Sequence, residues 1–464
     1  MLLSGPGSSV QLLTQALRGA GDAVARRLVA LAPGEGPEAL GETLAGARLI
    51  FVAATKEEPE PTALAALGGG QWIRVDLDRL LADPRGELAT VCQFAGIRYD
   101  QRLLTPLEEA RRQQAHEQGT LTPGGGASPF ASVFTSSFPA AITGTGGSLL
   151  VSTYQTNRLV CVRAQGSELN THFREFEKPM GIAVAPGRIA LGTRREVWDF
   201  RDVPAVTARL EPAGAHDACY IPRNRHVTGE IAIHDIGFAA SELWLVNTAF
   251  SCLATLDDDH SFVPRWRPSF ITALAPEDRC HLNGMAVRAG QVTHVTAFST
   301  TDEPAGWREN KASSGVLIDV ASSEVAIAGL SMPHSPRWHR DRLWLLESGR
   351  GTLAAVDLQA GKVETVCELP GFTRGLAMVG RTAFVGLSQI RETAVFGELP
   401  LTERLSERQA GVWTVDLPTG QITGFLRFED LVQEIFDVAL LPAARFPEIA
   451  EAAGPVTDHT YVLP

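Results

Sequence analysis

Four histidines stand beside residues able to orient them: His216-Asp217, Ile233-His234-Asp235, Cys280-His281-Leu282-Asn283-Gly284 and Pro333-His334-Ser335-Pro336. Imidazole nitrogen is a good ligand for iron, copper, zinc or nickel. Three or four imidazoles that leave a coordination position open suit catalysis. A neighbouring carboxylate can take the second ring N–H and fix the tautomer, a role open to Asp217 and Asp235. Asp235 could also act as base toward a metal-bound water. The set predicts a metal site of His216, His234, His281 and His334, holding Fe(II) first, with Cu or Zn as the other candidates. Neighbouring residues on a strand point to opposite faces, so Cys280 and His281 are not expected to ligate together. His226 is the substitute for His216. His172, His260, His294 and His339 fall at strand interiors, outer strands or turns and are expected to do no chemistry.

Arginines accompany the histidines. Arg374 occupies the strand position equivalent to His234 and His334, while Arg223, Arg308, Arg337 and Arg391 lie in insertions or beside a strand. Guanidinium forks bind carboxylates and phosphates bidentately. With Asn283 they predict an anionic small-molecule or peptide substrate. The structural alternative is loop-stapling pairs with Asp278, Glu392 or Asp437. Trp266, Trp307 and Trp338 could wall a pocket, although packing between blades is the simpler role.

Residues so far apart in sequence need a repeating scaffold to meet. A short strand pattern returns at Pro139-Ala-Ala-Ile142, Pro179-Met-Gly-Ile182, Ile233-His-Asp-Ile236, Leu282-Asn-Gly-Met285, Pro333-His-Ser-Pro336, Thr373-Arg-Gly-Leu376 and Ile435-Phe-Asp-Val438. A period of about 40–50 residues is that of β-propeller blades. Inner strands line a central channel, so their first residues converge on one axis. Seven copies predict a seven-bladed, mainly β propeller over residues 130–464, with six blades as the alternative. Residues around 130–137 are expected to complete the last blade. Insertions at 209–232, 298–313 and 387–410 are expected to cover the mouth that carries the histidines.

Residues 1–116 read as a small α/β domain, with strands at 49–54 and 72–75 and helices at 9–31, 60–68, 84–96 and 103–116. Residues 117–129 are a Gly/Pro/Ser-rich linker. The Ser4–Ser9 segment superficially resembles a phosphate loop but has no Lys in the required place.

The chain carries 41 basic and 53 acidic side chains, a net charge of −12, which disfavours a nucleic-acid surface. Six cysteines lack CxxC spacing and read as reduced core residues of a cytoplasmic protein. There is no signal-peptide pattern and no uninterrupted apolar span, so no membrane partner is expected.

Two resemblances add to this. Residues 74–107, including Asp83-Pro84, Phe94-Ala-Gly96 and the leucines between, resemble the C-terminal stretch of sulfotransferases. The likeness covers part of a domain and lacks the basic residue of the sulfonate-donor loop. It implies a degenerate, non-catalytic remnant for substrate docking or assembly, including oligomer formation. Residues 130–464 resemble an uncharacterised bacterial family of hypothetical propeller proteins, through His216-Asp217, His234-Asp235, Asp278-Arg-Cys-His-Leu-Asn-Gly284, Met332-Pro-His-Ser-Pro-Arg337 and Gly386-Leu-Ser-Gln-Ile-Arg-Glu392. That family supplies no activity to carry over. His281-Leu-Asn-Gly-Met-Ala286 is similar to the Asn-Gly turn of gluconolactonase-like propellers, a calcium family whose acidic ligands are not evident here. A four-histidine propeller resembles the carotenoid oxygenases in architecture, with different motifs.

The functional expectation is an iron- or copper-dependent oxidoreductase of the oxygenase type. The alternatives are a divalent-metal hydrolase or lactonase, and a non-catalytic binding or scaffold propeller.

Overall fold

Alternating apolar residues separated by polar turns build most of the chain into short antiparallel strands. The computed structural model describes residues 130–389 and 399–463, together with four strands nearer the N-terminus. The chain divides into two units, Met1–Gly126 and Ala127–Pro464. In the first, Ala30–Leu31, Leu2–Leu3, Leu49–Ala53 and Trp72–Asp76 form a parallel sheet in that order. Ala30–Leu31 is a strand where the end of a helix was expected. The rest of that helix, the other three helices and the Ser4–Ser9 segment lie outside the described residues, as does the linker.

The second unit is a β-propeller of six blades, not seven. Pro139–Ile142 does not start a blade; it lies in the helix Ser137–Thr145. Phe138 and Ile142 stand four residues apart, a helical spacing, and both are fully buried against Phe384, Leu426 and Ile435. Pro139 is in the first turn, where its missing N–H costs nothing. The inner strand that the first blade would lack comes from the other end of the sequence. Asp437–Leu441 pairs antiparallel with Ser148–Thr153, followed by Arg158–Gln165 and Glu168–Glu175. The last repeat therefore closes the first blade (blade I) rather than opening a seventh.

Blades II to VI begin at Ile182–Ala185, Ile233–Ala239, Leu282–Arg288, Pro333–His339 and Phe372–Val379. Ser132–Phe134 adds a fifth strand to the outer edge of blade VI. The ring is thus closed by both flanks of the repeat region. Blade II has a fifth strand too, Pro447–Ile449, lying parallel on Ala218–Tyr220.

Around the channel, the third residue of each inner tetrapeptide alternates between an acceptor and glycine: Asp437, Gly181, Asp235, Gly284, Ser335 and Gly375. Each acceptor takes a backbone N–H of the next blade. Asp437 accepts from Ile182 at 2.9 Å, Asp235 from Met285 at 2.9 Å and Ser335 Oγ from Gly375 at 3.1 Å. The glycines let neighbouring inner strands approach. A Cβ at Gly284 would lie 2.5 Å from Pro336 Cδ, and Gly375, at φ +82°, would place one 2.6 Å from Val438 N. Arg337 completes this layer. Its Nη1 and Nη2 donate to the two oxygens of Asp235 at 2.7 and 3.0 Å, and Nη2 lies 3.9 Å from Asp437.

Candidate functional site

The second residue of each inner tetrapeptide points the other way along the register and faces one mouth of the channel. Phe436, Met180, His234, His334 and Arg374, from five of the blades, line a cavity of about 270 Å³. The sixth such residue, Asn283, does not. It is buried, and its Oδ1 accepts the Thr296 hydroxyl at 2.7 Å. Its place is taken by His281, whose left-handed backbone, φ +52°, turns the ring into the cavity.

His234 and His281 meet edge to face with ring centroids 4.8 Å apart. The Phe298 ring stacks on His281 at 4.5 Å and meets His334 edge-on at 5.1 Å. Trp307, on a short 3-10 helix at Gly306–Arg308, packs 4.3 Å from His281. Behind these rings, Met332, Phe372, Leu399 and Leu401 form an apolar wall. The insertions at 298–313 and 387–410 thus contribute to the mouth: the first supplies Phe298 and Trp307, and the second buttresses them.

Each of the three histidines has its Nδ1 committed to an oxygen. His234 Nδ1 donates to the Ala232 carbonyl at 3.1 Å. His334 Nδ1 is 2.7 Å from Ser348 Oγ and 3.2 Å from the Met332 carbonyl. The Ser348 hydroxyl donates to the Thr373 carbonyl, so it accepts from His334. His281 Nδ1 lies 2.9 Å from both oxygens of Asp278, and Asp278 Oδ2 also accepts Trp307 Nε1–H at 3.0 Å. Nδ1 is thus the hydrogen-bonded nitrogen of each ring, and none of the three has a hydrogen-bond partner for Nε2 among the described residues. Burial holds His234 and His334 well below the ordinary imidazole range. His281 and Arg374 add to the effect at His234, and Arg374 and His281 at His334.

Arg374 has the opposite problem. Its guanidinium lies 3.4 Å above the Phe436 ring centroid, and no carboxylate is in ion-pairing range among the described residues. Nη2 is shut off from water without an acceptor. Burial pulls the group down to about 10, only partly offset by Tyr154, Glu434, Asp437 and Asp235.

The structure separates the other candidates from this cavity. His216 and Asp217 are not at the mouth. Residues 218–227 are the fourth strand of blade II, not part of a covering insertion, and this puts both residues at the blade's periphery. There His216 packs 5.6 Å from Phe446, and Asp217 accepts the backbone N–H groups of Arg445 and Phe446. Asp235 is no base or histidine orienter, because Arg337 and two backbone N–H groups occupy it. Arg337 is equally committed and unavailable to substrate. Arg223 lines a separate surface cavity with Arg209 and Tyr461. Arg308 is exposed, over Trp307, outside the cavity lining. His226 is bound to the Ser261 carbonyl on the outer strand of blade II. Arg391 lies outside the described residues.

Among the described residues, no group of three or more His, Cys, Asp and Glu side chains is arranged to hold a metal ion. Of the predicted set, His216 lies elsewhere, and Phe298 packs against both His281 and His334. The orienting carboxylate is Asp278, three residues before His281, which the sequence offered only as an arginine partner. Lys178, Arg194 and Glu230 also line the cavity. They carry no sequence signal beyond lying next to the first two strands of blade II and the inner strand of blade III.

A family model described as a domain of unknown function, DUF4915, matches residues 136–450. The chain belongs to this family. The DUF4915 match spans the whole cavity lining, from Tyr154 to Phe436, and leaves the N-terminal unit outside. No curated protein matches the chain. Among solved structures, the DUF4915 chain is similar to one titled as a nidogen/laminin complex. That match has 7% identity and a TM-score of 0.42, covering 64% of this chain and 98% of the other. It is also similar to a protein of unknown function from Bacteroides caccae, with 10% identity and a TM-score of 0.38, covering 63% and 98%. No helix among the described residues is long and apolar enough to cross a membrane.

Proposed function

We propose that the mouth cavity is the active site of an enzyme acting on a small anionic molecule, with Arg374 binding the anion and His281 moving the proton. The observation that carries this reading is the Arg374 guanidinium: half-buried against Phe436 with Nη2 shut off from water, without a carboxylate among the described residues, beside imidazoles whose charged form is disfavoured by burial. Such a charge is costly unless something anionic completes it, and a bound carboxylate or phosphate would do so bidentately. His281 offers a free Nε2, while Asp278 holds its Nδ1–H and would stabilise the imidazolium formed on proton uptake. Phe298, Trp307 and Phe372 supply an apolar wall for the body of the substrate.

Calorimetric titration with benzoate and phenyl phosphate tests this. Arg374→Leu is expected to weaken binding at least tenfold, and the control Arg223→Leu to leave it unchanged. Equal binding by wild type and Arg374→Leu would overturn the reading.

A second reading, the metal-dependent oxidoreductase or hydrolase, keeps one supporting observation. Two imidazoles at 4.8 Å, each with Nδ1 bound to oxygen, have the separation and outer partners of neighbouring ligands on one ion. His234 and His281 would be the protein ligands of Fe(II), Cu or Zn. Titration with Co(II) separates the readings. Loss of a stoichiometric visible spectrum in His234→Ala and His281→Ala, and its retention in His294→Ala, favours the metal; no spectrum in wild type favours acid–base chemistry alone.

For the N-terminal unit, the likeness of residues 74–107 to sulfotransferases supports a non-catalytic docking or assembly role. The five cysteines of the propeller are buried and free, which supports a cytoplasmic setting.

A further inference from the structure

The cavity holds more than one cation. Lys178, Arg194 and Arg374 line it, with Glu230 in the lining and Glu177 beside it, in a chain whose net charge is −12. The cations are divided between two levels. Arg374 is at the floor, on Phe436. Lys178 and Arg194 are at the rim, on the segments flanking the first two strands of blade II.

The two rim cations are not equally occupied. Arg194 is paired twice: its Nε donates to Glu230 Oε2 at 3.0 Å and its Nη1 to Glu177 Oε1 at 3.0 Å. Lys178 has only a share of the same Glu230, with Nζ 3.9 Å from Oε1, beyond hydrogen-bonding distance. Its backbone is nonetheless held in place. It adopts φ +48°, and its N–H donates to Asn157 Oδ1 at 3.0 Å. A left-handed backbone at a lysine is uncommon, and here it sets the direction in which the side chain leaves the turn. Between floor and rim the walls are aromatic and aliphatic: Phe298, Trp307 and Phe372.

We infer that the substrate is a small dianion with acidic groups at its two ends and an apolar segment between them, one end on Arg374 and the other on Lys178. This rests on the anion reading of Arg374 and adds the second subsite. A cation at each end of the cavity selects charge number and length together. A monoanion leaves Lys178 to water and Glu230, and a dianion of the wrong length reaches only one end.

Calorimetric titration of the full chain with a series of straight-chain α,ω-dicarboxylates, each matched to the monocarboxylate of equal length, is the test. One dicarboxylate length is expected to bind at least tenfold more tightly than its monocarboxylate. Lys178→Met is expected to bring that dicarboxylate down to the monocarboxylate's affinity while leaving the monocarboxylate unchanged. Lys362→Met, on the outer strand of blade V, is expected to change neither. Dicarboxylates binding no better than monocarboxylates at every length, or a preference that survives Lys178→Met, would overturn the second subsite alone if binding still depends on Arg374. Binding that survives Arg374→Leu, or no binding of either class, would overturn the floor subsite and the dianion with it.

Discussion

Arg337 and Arg374 sit on the inner strands of adjacent blades, and both are partly buried, yet the protein treats them in opposite ways. Arg337 is met by Asp235 and Asp437 in the layer that closes the channel. Burial works against its charge, but the two carboxylates more than offset it and raise its pKa. Arg374 faces the cavity, rests on an aromatic ring and is lowered to about 10 by burial with no adequate counter-charge. One arginine is complete within the fold; the other has no carboxylate partner among the described residues. Burial of a charge therefore separates scaffold from site only when its partners are counted.

The comparison breaks most visibly at Arg337. Arg337→Met would leave two buried carboxylates facing each other, and removing one partner of such a group costs about 3–5 kcal/mol. Urea unfolding at pH 7 is expected to show that loss. A change below about 1 kcal/mol would mean that the closing layer is not held by this cation.

The same layer predicts a pH signature. Burial, opposed by Arg337 and assisted by Asp235, raises the Asp437 carboxyl to about 7. The native state then keeps a proton that the unfolded chain has lost. This contribution to stability is present below about pH 4 and disappears as pH rises toward 7. His234 and His334 act in the other sense. Their lowered pKa values make stability complete above about pH 6.5 and progressively lost below it. In wild type the two slopes oppose each other between pH 4 and 6.5. In Asp437→Asn the first is gone, so relative to wild type the variant should gain with rising pH, by at most about 1.4 kcal/mol per pH unit, until pH 7. Parallel stability curves from pH 5 to 8 would show that Asp437 is ionised throughout.

Arg374→Leu sharpens the contrast from the other side. The variant loses a cation–π contact worth about 1–2 kcal/mol and is relieved of a buried, uncompensated charge. Its unfolding free energy is expected to stay within about 1 kcal/mol of wild type while anion binding falls. A loss as large as that of Arg337→Met would make Arg374 a second structural arginine.

The sequence made the inner ring readable because a tetrapeptide recurring at blade spacing fixes register. Knowing that His234, His334 and Arg374 share one position was enough to bring them together. Pro139–Ile142 was misleading because its composition matches the motif. The spacing of Phe138 and Ile142, a turn of helix apart, was the better signal. His216 was misplaced for a similar reason. The strand Ala218–Val227 contains Pro222 and three basic residues and reads as a loop. It pairs with its neighbour only through a register shift opposite Asp199 and Phe200, the kind of irregularity that admits proline at an outer position. The rim was not legible at all. Lys178, Arg194 and Glu230 converge only when blades II and III are folded side by side, and no local pattern announces it.

The smallest predicted effect tests the periphery against the mouth. Asp217 uses both carboxylate oxygens, accepting the N–H of Arg445 at 2.6 Å and of Phe446 at 2.9 Å. These bonds fix the turn that delivers Pro447–Ile449 to the outer edge of blade II. Asn at this position keeps one acceptor and turns the other atom into a donor facing an N–H. The expected cost is about 1 kcal/mol, one exposed, charge-assisted hydrogen bond. Because the turn is remote from the cavity lining, anion affinity in Asp217→Asn should equal that of wild type. A loss of binding there, measured in the same titration that reads Arg374→Leu, would mean that the outer edge of blade II and the channel mouth are coupled, and that the division between complete scaffold and incomplete site is drawn in the wrong place.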